Sequence, residues 1–428
     1  MATIKMKYGK EKIDVSISDD NLLGVIKSKG GDGNSSEEDI IKDALKNPIA
    51  SARLKKLVKP GERICIVISD ITRAWQKMSA YLPYLVQELN DGGINDEDII
   101  FLSATGSHRK QTKEEHEVLL GKELAKRFKV IDHVSTDKDS LVHLGDTSYG
   151  TPVMVNKLAL ECDHVVLTGA IVFHLLAGWG GGKKSVLPGI CGYETIMANH
   201  ALSLNPELGS GSNPLVRSGN IDGNPIHLDM LEATSFVRPT FLFNAIMDSN
   251  GNIAHAVAGN YIKAHEAGCE IVDKKDGVMI EEKGDMVIAT AGGYPKDINL
   301  YQTSKTLINA KEAVKEGGTI IILSQCSEGF GNKPIEDMIR NYTSVLDREK
   351  ALREDYSIAK YIGYFFAETA DKFDLILVSD MDKALLESAN ITVVDNLDDA
   401  LKITYDKKGK DLKTYLMPNG ANTLPKLK

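Results

Sequence analysis

The sequence is poor in the features that mark secreted, membrane-spanning or nucleic-acid-binding chains. Its five cysteines, Cys65, Cys162, Cys191, Cys269 and Cys326, are scattered through 428 residues, and none pairs as Cys-x-x-Cys. A disulfide framework needs an even, closely spaced set, and a thiolate zinc site needs short Cys spacing. The five therefore read as reduced core thiols of a cytoplasmic protein. No apolar run approaches the roughly 20 residues that span a bilayer, and MATIKMKYGKEKIDV alternates like a strand, with no apolar signal core. Positive charge is in deficit, 51 Lys and Arg against 60 Asp and Glu, for a net charge of −9. That excludes the overall basic footprint of a nucleic-acid binder, although not a local basic pocket. The phosphate-binding Walker loop is missing too. Counting from Gly178, the sixth position is Lys183 rather than Gly, and Gly182-Lys183 is followed by Lys184 rather than Ser or Thr.

What is present is an alternation of strands and helices. RICIVIS (63–69), IIFLSA (99–104) and KVIDHVS (129–135) are apolar runs of strand length, separated by helical spacing over 77–89 and 112–128. The apolar run from Cys162 to Val172 reads as a further buried strand. Residues 3–16 suggest a small N-terminal sheet, and Ser36 a cap for a helix through Leu45 after the GGDGNSSE loop of 30–37. Residues 205–225, rich in Gly, Asn, Ser and Pro, predict an extended surface loop. Strands over 241–258, with a turn at 248–252, lead to a helix over 261–272. After KKDG the pattern restarts with strands at 285–291, 318–324, 373–380 and 391–394, and a helix over 299–316. Such alternation predicts α/β folding with mainly parallel sheets. The expected division is an N-terminal α/β domain over 1–272 and a C-terminal α/β domain over 275–428, with the active-site cleft between them.

Four stretches carry chemistry. In HLLAGWGGGKKSVLPGICGYETIMANH (174–200), Gly180, Gly181 and Gly182 run into Lys183 and Lys184, and a histidine stands at each end. Consecutive glycines let a backbone take positive φ and approach a ligand closely. Two amines beside two imidazoles suit an anionic ligand, a metal or both, and a plain glycine turn with surface lysines satisfies the same spacing. SDITR (69–73) stands where a strand ends, the place at which open α/β sheets display ligand groups. Arg73 there has the shape for bidentate carboxylate recognition. ATGSHRKQT (104–112) puts His108 on a loop after another strand. In GGYPKDINLYQTSK (292–305), Tyr301, Gln302 and Lys305 fall in the first two turns of a helix, with Gln302 and Lys305 on one face.

The pattern HxxxGxxGGxKSVLPG followed by TIMANH resembles the nickel-dependent lactate racemase family. The likeness extends to SDxTR, to the His108 loop, to NPI near 47, to HVSTD at 133–137 and to HxAGC at 265–269. It implies a racemase for a small 2-hydroxy acid, lactate foremost, holding a nickel-pincer nucleotide covalently on Lys184. His200 would ligate the nickel, and Asp70 is assigned to cofactor binding. His108 and His174 would be the catalytic pair, each the base for one enantiomer and the acid for the other. Arg73, Tyr301, Gln302 and Lys305 would bind substrate. The implied reaction is proton-coupled hydride transfer to and from the cofactor through a bound 2-keto acid, with cofactor-synthesis proteins as maturation partners. Where the family usually continues SDxTR with Pro, this chain has Ala74-Trp75, a departure beside the substrate's variable group. Malate, a longer 2-hydroxy acid or a sugar acid is the alternative substrate. Two other classes use the same residues. One is a glycine-loop nucleotide or phosphate binder, and the other a hydrolase with a metal on Asp70, His108 and His174.

Overall fold

A computed structural model of the chain describes residues 2–30 and 35–428, so part of the loop expected over 30–37 lies outside the described residues. The chain forms two compact units. The first contains residues 30–200 and 220–273, and the second contains the residues up to Lys29, 201–219 and 274–428.

The first unit is built on a six-stranded sheet in the order Ile253–Gly259, Phe241–Met247, His164–Ala170, Ile64–Ser69, Ile99–Ala104, Lys129–Asp132. Every pair is parallel except the first, an antiparallel hairpin whose turn closes through Asp248 N to Asn252 O at 2.8 Å. The strand after Lys129–Asp132 in the sheet's chain order, His164–Ala170, returns to the other side of Ile64–Ser69, so the order reverses between those two strands. Ligands in open α/β sheets bind beyond the carboxyl ends of strands at such a reversal. The Ile64–Ser69 strand is buried from Ile64 to Ile68, as a central parallel strand covered on both faces must be. The helix of Met78–Asp91 covers it with Met78, Tyr81, Leu82, Leu85 and Leu89.

The second unit has its own six-stranded, wholly parallel sheet: Thr392–Val394, Asp374–Val378, Val314–Leu323, Gly284–Thr290, Thr414–Met417, Leu22–Val25. Its strand order reverses between Gly284–Thr290 and Thr414–Met417, and the Gly292–Lys305 stretch follows the first of these.

Several sequence expectations need correction. One boundary between the units falls at 273/274, and the units are not contiguous in sequence. Leu22–Val25 completes the second sheet as an edge strand, and Met6, Val15 and Ile17 of the antiparallel N-terminal hairpin pack into its core with Met286, Ile288 and Ile321. The polar loop after residue 201 joins the same unit because buried charge fastens it. Glu368 accepts from Ser212 N and Oγ at 2.9 and 2.6 Å, and Arg353 donates to Asn205 O and Glu207 O at 2.7 and 2.8 Å. The helix expected over 112–128 is two helices, Lys113–Leu120 and Lys122–Arg127, broken at Gly121 where φ is +81°. The helix expected to reach Glu316 stops at Ala310, and Val314 already begins a strand. Among the described residues no helix is long and apolar enough to cross a membrane.

His133, which follows the Lys129–Asp132 strand, ties the glycine-rich loop to the sheet. Its Nε2–H donates to Cys191 O at 2.8 Å, its Nδ1 accepts from Asn156 Nδ2 at 3.1 Å, and its carbonyl accepts from Thr105 Oγ1 at 2.5 Å. Burial pushes this imidazole down to about 4. A histidine of the unfolded chain titrates near 6.5. As pH falls from about 6.5 towards 4, the unfolded chain therefore gains a proton that the folded one refuses, and stability is lost in that window. Thermal unfolding followed by circular dichroism between pH 7 and 4.5 should show a falling Tm. The His133→Asn protein should be less stable at pH 7 and lose less of its Tm across the same range.

Candidate active site

Three loops leave the carboxyl ends of adjacent strands in the first unit. Asp70 ends the Ile64–Ser69 strand and is 4% exposed. Its Oδ1 accepts from Thr72 Oγ1 at 2.6 Å, and its Oδ2 is hydrogen-bonded to His108 Nδ1. Burial pushes the carboxyl up, but the hydrogen bonds from His108 and Thr72, with the charges of His108 and Arg73, outweigh it and hold Asp70 below the usual carboxylate range. An ionised Asp70 can only accept, so His108 carries its proton on Nδ1 and turns the lone pair of Nε2 outward. The His108 side chain is 47% exposed, placing that lone pair within reach of a ligand.

Gln111 sets the distance between these two loops. Its Oε1 accepts from Ile71 N at 2.6 Å, and its Nε2 donates to Ser103 Oγ at 2.6 Å and Asp132 Oδ1 at 2.9 Å. Arg73 interrupts a 3-10 turn over Ile71–Gln76 with φ −114°, ψ 18° and donates to Thr72 Oγ1 at 3.3 Å. Among the described residues its guanidinium forms no ion pair. Trp75, two residues on, is 43% exposed.

The third loop follows His164–Ala170. Phe173–His174 and Gly178–Trp179 pair as a minimal antiparallel hairpin. Within it, His174 Nδ1 accepts from the backbone N–H groups of Leu176 and Ala177, both at 3.2 Å. The loop then turns back under itself at glycines that no other residue could replace. A Cβ on Gly178, at φ +74°, would lie 2.4 Å from Asn220 O, and one on Gly182, at φ +55°, 2.5 Å from the His265 ring. That closeness lets His265 Nε2–H donate to Gly180 O at 2.8 Å and Gly182 N to Asn244 Oδ1 at 2.9 Å.

The two lysines that follow, in the 3-10 turn Gly182–Ser185, have different fates. Lys183 is 1% exposed, with Nζ 3.3 Å from both Ala177 O and Trp179 O. Lys184 is half-buried, and burial together with the charges of Arg73 and Lys183 lowers its amine to about 7. A large fraction is then neutral, and so nucleophilic, at neutral pH. His200, on the Tyr193–Ala201 helix, is 2% exposed and donates Nδ1–H to Ile196 O at 2.8 Å. Burial and the Lys184 charge push it down to about 3, so the ring is neutral with a bare Nε2, the form that binds a metal.

Burial and the charges of Lys184, His200, Arg73 and Lys183 also lower the His174 imidazole well below its ordinary value. The structure thus places Asp70, Arg73, His108, His174 and Lys184 on the three loops of one unit, and His200 on the helix that follows the third. Tyr301, Gln302 and Lys305 belong to the second unit, on the Leu300–Ala310 helix capped by Asn299. Lys305 Nζ donates to Gln302 Oε1 at 2.6 Å, which places these two on one face as their spacing predicts. Sequence reading passed over Gln111, Asn224, Asn244 and His265 and took Lys183 only as one of two amines, whereas all five hold the loops. The HxAGC likeness alone pointed towards His265.

Comparison with known proteins identifies the family. Residues 8–211 match the family model of the lactate racemase N-terminal domain, and residues 279–424 that of the lactate racemase C-terminal domain. The lactate racemase of Thermoanaerobacterium thermosaccharolyticum is 33% identical over 434 residues, covering 99% of each chain. That of Lactiplantibacillus plantarum is 32% identical over 436 residues, covering 100% of each. The structure of the T. thermosaccharolyticum lactate racemase apoprotein superposes with a TM-score of 0.91 over 99% of this chain and 100% of that one. A protein from Thermotoga maritima, 18% identical, shares the fold at a TM-score of 0.61 over 93% of this chain and 100% of that one. The chain belongs to the lactate racemase family and is an enzyme of the isomerase class.

Proposed function

We propose that this enzyme racemises a small 2-hydroxy acid, lactate foremost, using a nickel-pincer nucleotide carried on Lys184. The observation that carries the reading is the placement on one unit of an Asp70–His108 pair, an unpaired Arg73 and a lysine whose amine is half-neutral near pH 7. The residues fit the group. Lys184 is an amine ready to be acylated, and His200 offers a metal an Nε2 lone pair whose orientation Ile196 O fixes. In the same loop, Trp179 Nε1 is buried with no hydrogen-bond partner, as a donor meant for a ligand would be. Bound there, the nucleotide supplies a hydride acceptor for the substrate C2.

The chain's own residues do the rest. Arg73 matches a carboxylate with two parallel N–H donors. His108 takes the proton of the 2-hydroxyl on Nε2, and Asp70 stabilises the imidazolium that results. His174 differs from His108 at rest. Two amides point at its Nδ1, so its proton sits on Nε2, and it presents a donor where His108 presents an acceptor. The equal exchange of roles expected from sequence therefore requires the His174 proton to move to Nδ1 and both amides to release it. The family resemblance also assigns substrate binding to Tyr301, Gln302 and Lys305. Trp75 bears on the choice among lactate, malate and longer acids. Maturation depends on cofactor-synthesis proteins, and the reduced thiols suit the cytoplasm. The hydrolase reading lacks its centre: among the described residues no three His, Cys, Asp or Glu side chains converge on a metal position.

Three measurements test the proposal. Protein from a cofactor-producing host should carry a covalent adduct and nickel and should racemise single enantiomers of lactate. Lys184→Ala should lack adduct and activity together, and an unmodified, nickel-free wild-type protein from that host would sink the reading. Asp70→Asn should keep the adduct but lower kcat about 10²- to 10⁴-fold, because the His108 tautomer is no longer fixed. In the apoprotein, labelling of Lys184 by an amine-reactive ester should rise with pH to half its limit near pH 7. A half-point near 10 would contradict the assigned environment.

A further inference from the structure

Lys183 is the one side chain of the glycine loop that its chemistry does not use, and burying it is costly. Removing an ammonium from water costs on the order of several kcal/mol unless polar groups surround it. Burial lowers Lys183 to about 8, so it is still protonated at neutral pH, and among the described residues no carboxylate pairs with it. Its Nζ faces two backbone carbonyls, Ala177 O and Trp179 O, both at 3.3 Å. Asn224, 0% exposed, does the same one residue earlier, donating Nδ2–H to Leu176 O at 2.8 Å. Leu176 and Ala177 are also the two residues whose N–H groups hold His174 Nδ1. Each of these residues is thus held at both ends, its N–H by His174 and its carbonyl by a buried donor.

We propose that Lys183 and Asn224 are positioning residues for His174, fixing its ring orientation and keeping its proton on Nε2 through the Leu176 and Ala177 backbone. The inference rests on the reading of His174 as a participant in racemisation. The two donors converge from different elements. Lys183 reaches back across its own loop, and Asn224 stands at the N-cap of the Pro225–Val237 helix, where its Oδ1 also accepts from His227 N at 3.2 Å. Electrostatics strengthens the arrangement. Leu176 O and Ala177 N–H belong to one peptide group, so the Asn224 bond to that carbonyl polarises the group and makes its N–H a better donor to His174. An apolar side chain in place of Lys183 would take a buried donor from both carbonyls, leaving Ala177 O with its bond from Trp179 N at 2.9 Å, and the turn would relax.

The test reads His174 directly. Apoprotein labelled with ¹⁵N-histidine should show His174 with a bare Nδ1 and a protonated Nε2. Lys183→Met should shift it to a mixture of tautomers, Lys183→Arg should restore the wild-type signature, and Asn224→Ser should shift it too while keeping a cap for the helix. In loaded enzyme, Lys183→Met and Asn224→Ser should lower kcat about 10- to 100-fold with KM within about 2-fold, the adduct mass being unchanged. Folded variants that keep the wild-type His174 signature would overturn the proposal. Should Lys183→Met fail to fold, Asn224→Ser decides alone. A shifted signature in a protein whose loaded wild type has no racemase activity would support the clamp and overturn the functional reading instead, so the two failures are distinguishable.

Discussion

The site depends on how closely one backbone segment, residues 174–182, approaches its neighbours. Gly182 lies against the His265 ring and Gly178 against Asn220 O at separations that leave no room for a Cβ. Every other placement follows from that contact. With the loop pressed onto the sheet, the next residue, Lys183, can only point inward, and Lys184, the one after, outward. Two adjacent lysines thereby become a buried anchor and a reactive amine. Neither role is a property of lysine itself; the turn between them creates both.

The second consequence is electrostatic. Arg73, Lys183 and Lys184 crowd one region of a chain whose net charge is −9, and among them His174 and His200 stay neutral because burial and neighbouring positive charge both disfavour protonation. Such a pocket keeps its imidazoles as lone-pair donors while presenting cations to an incoming anion. A carboxylate substrate and a phosphorylated cofactor are both anions. Under the proposed function both would be drawn in, and the same field, added to the larger effect of burial, lowers the Lys184 amine to about 7.

The sheets were legible because buried parallel strands announce themselves as unbroken apolar runs, as RICIVIS and IIFLSA do. Asp70, Arg73 and His108 drew notice by standing directly after such runs, and their proposed roles came from family likeness. Lys184 and His200 came from family likeness, since a glycine turn with surface lysines has the same spacing. Two kinds of feature stayed hidden. One was pairing between distant segments, which made Leu22–Val25 an edge strand of the second sheet and drew 201–219 to Arg353 and Glu368. Such contacts leave no periodic trace in the chain. The other was the set of buried donors that grip loop backbone. Lys183 read as either a ligand-facing or a surface amine, because hydropathy cannot show that a charged group has carbonyls waiting for it.

The two imidazoles proposed as the catalytic pair show why those buried donors matter. His108 is held by a carboxylate, which can only accept, so its outer nitrogen is bare. His174 is held by amides, which can only donate, so its outer nitrogen carries the proton. The same side chain therefore enters the site in opposite hydrogen-bonding senses, chosen by the group behind it. A reaction that must run in both directions across one carbon has to exchange those senses at each turnover. For His108 the exchange is protonation beside a fixed negative charge, which the carboxylate favours. For His174 it means displacing two backbone donors gripped by Asn224 and Lys183.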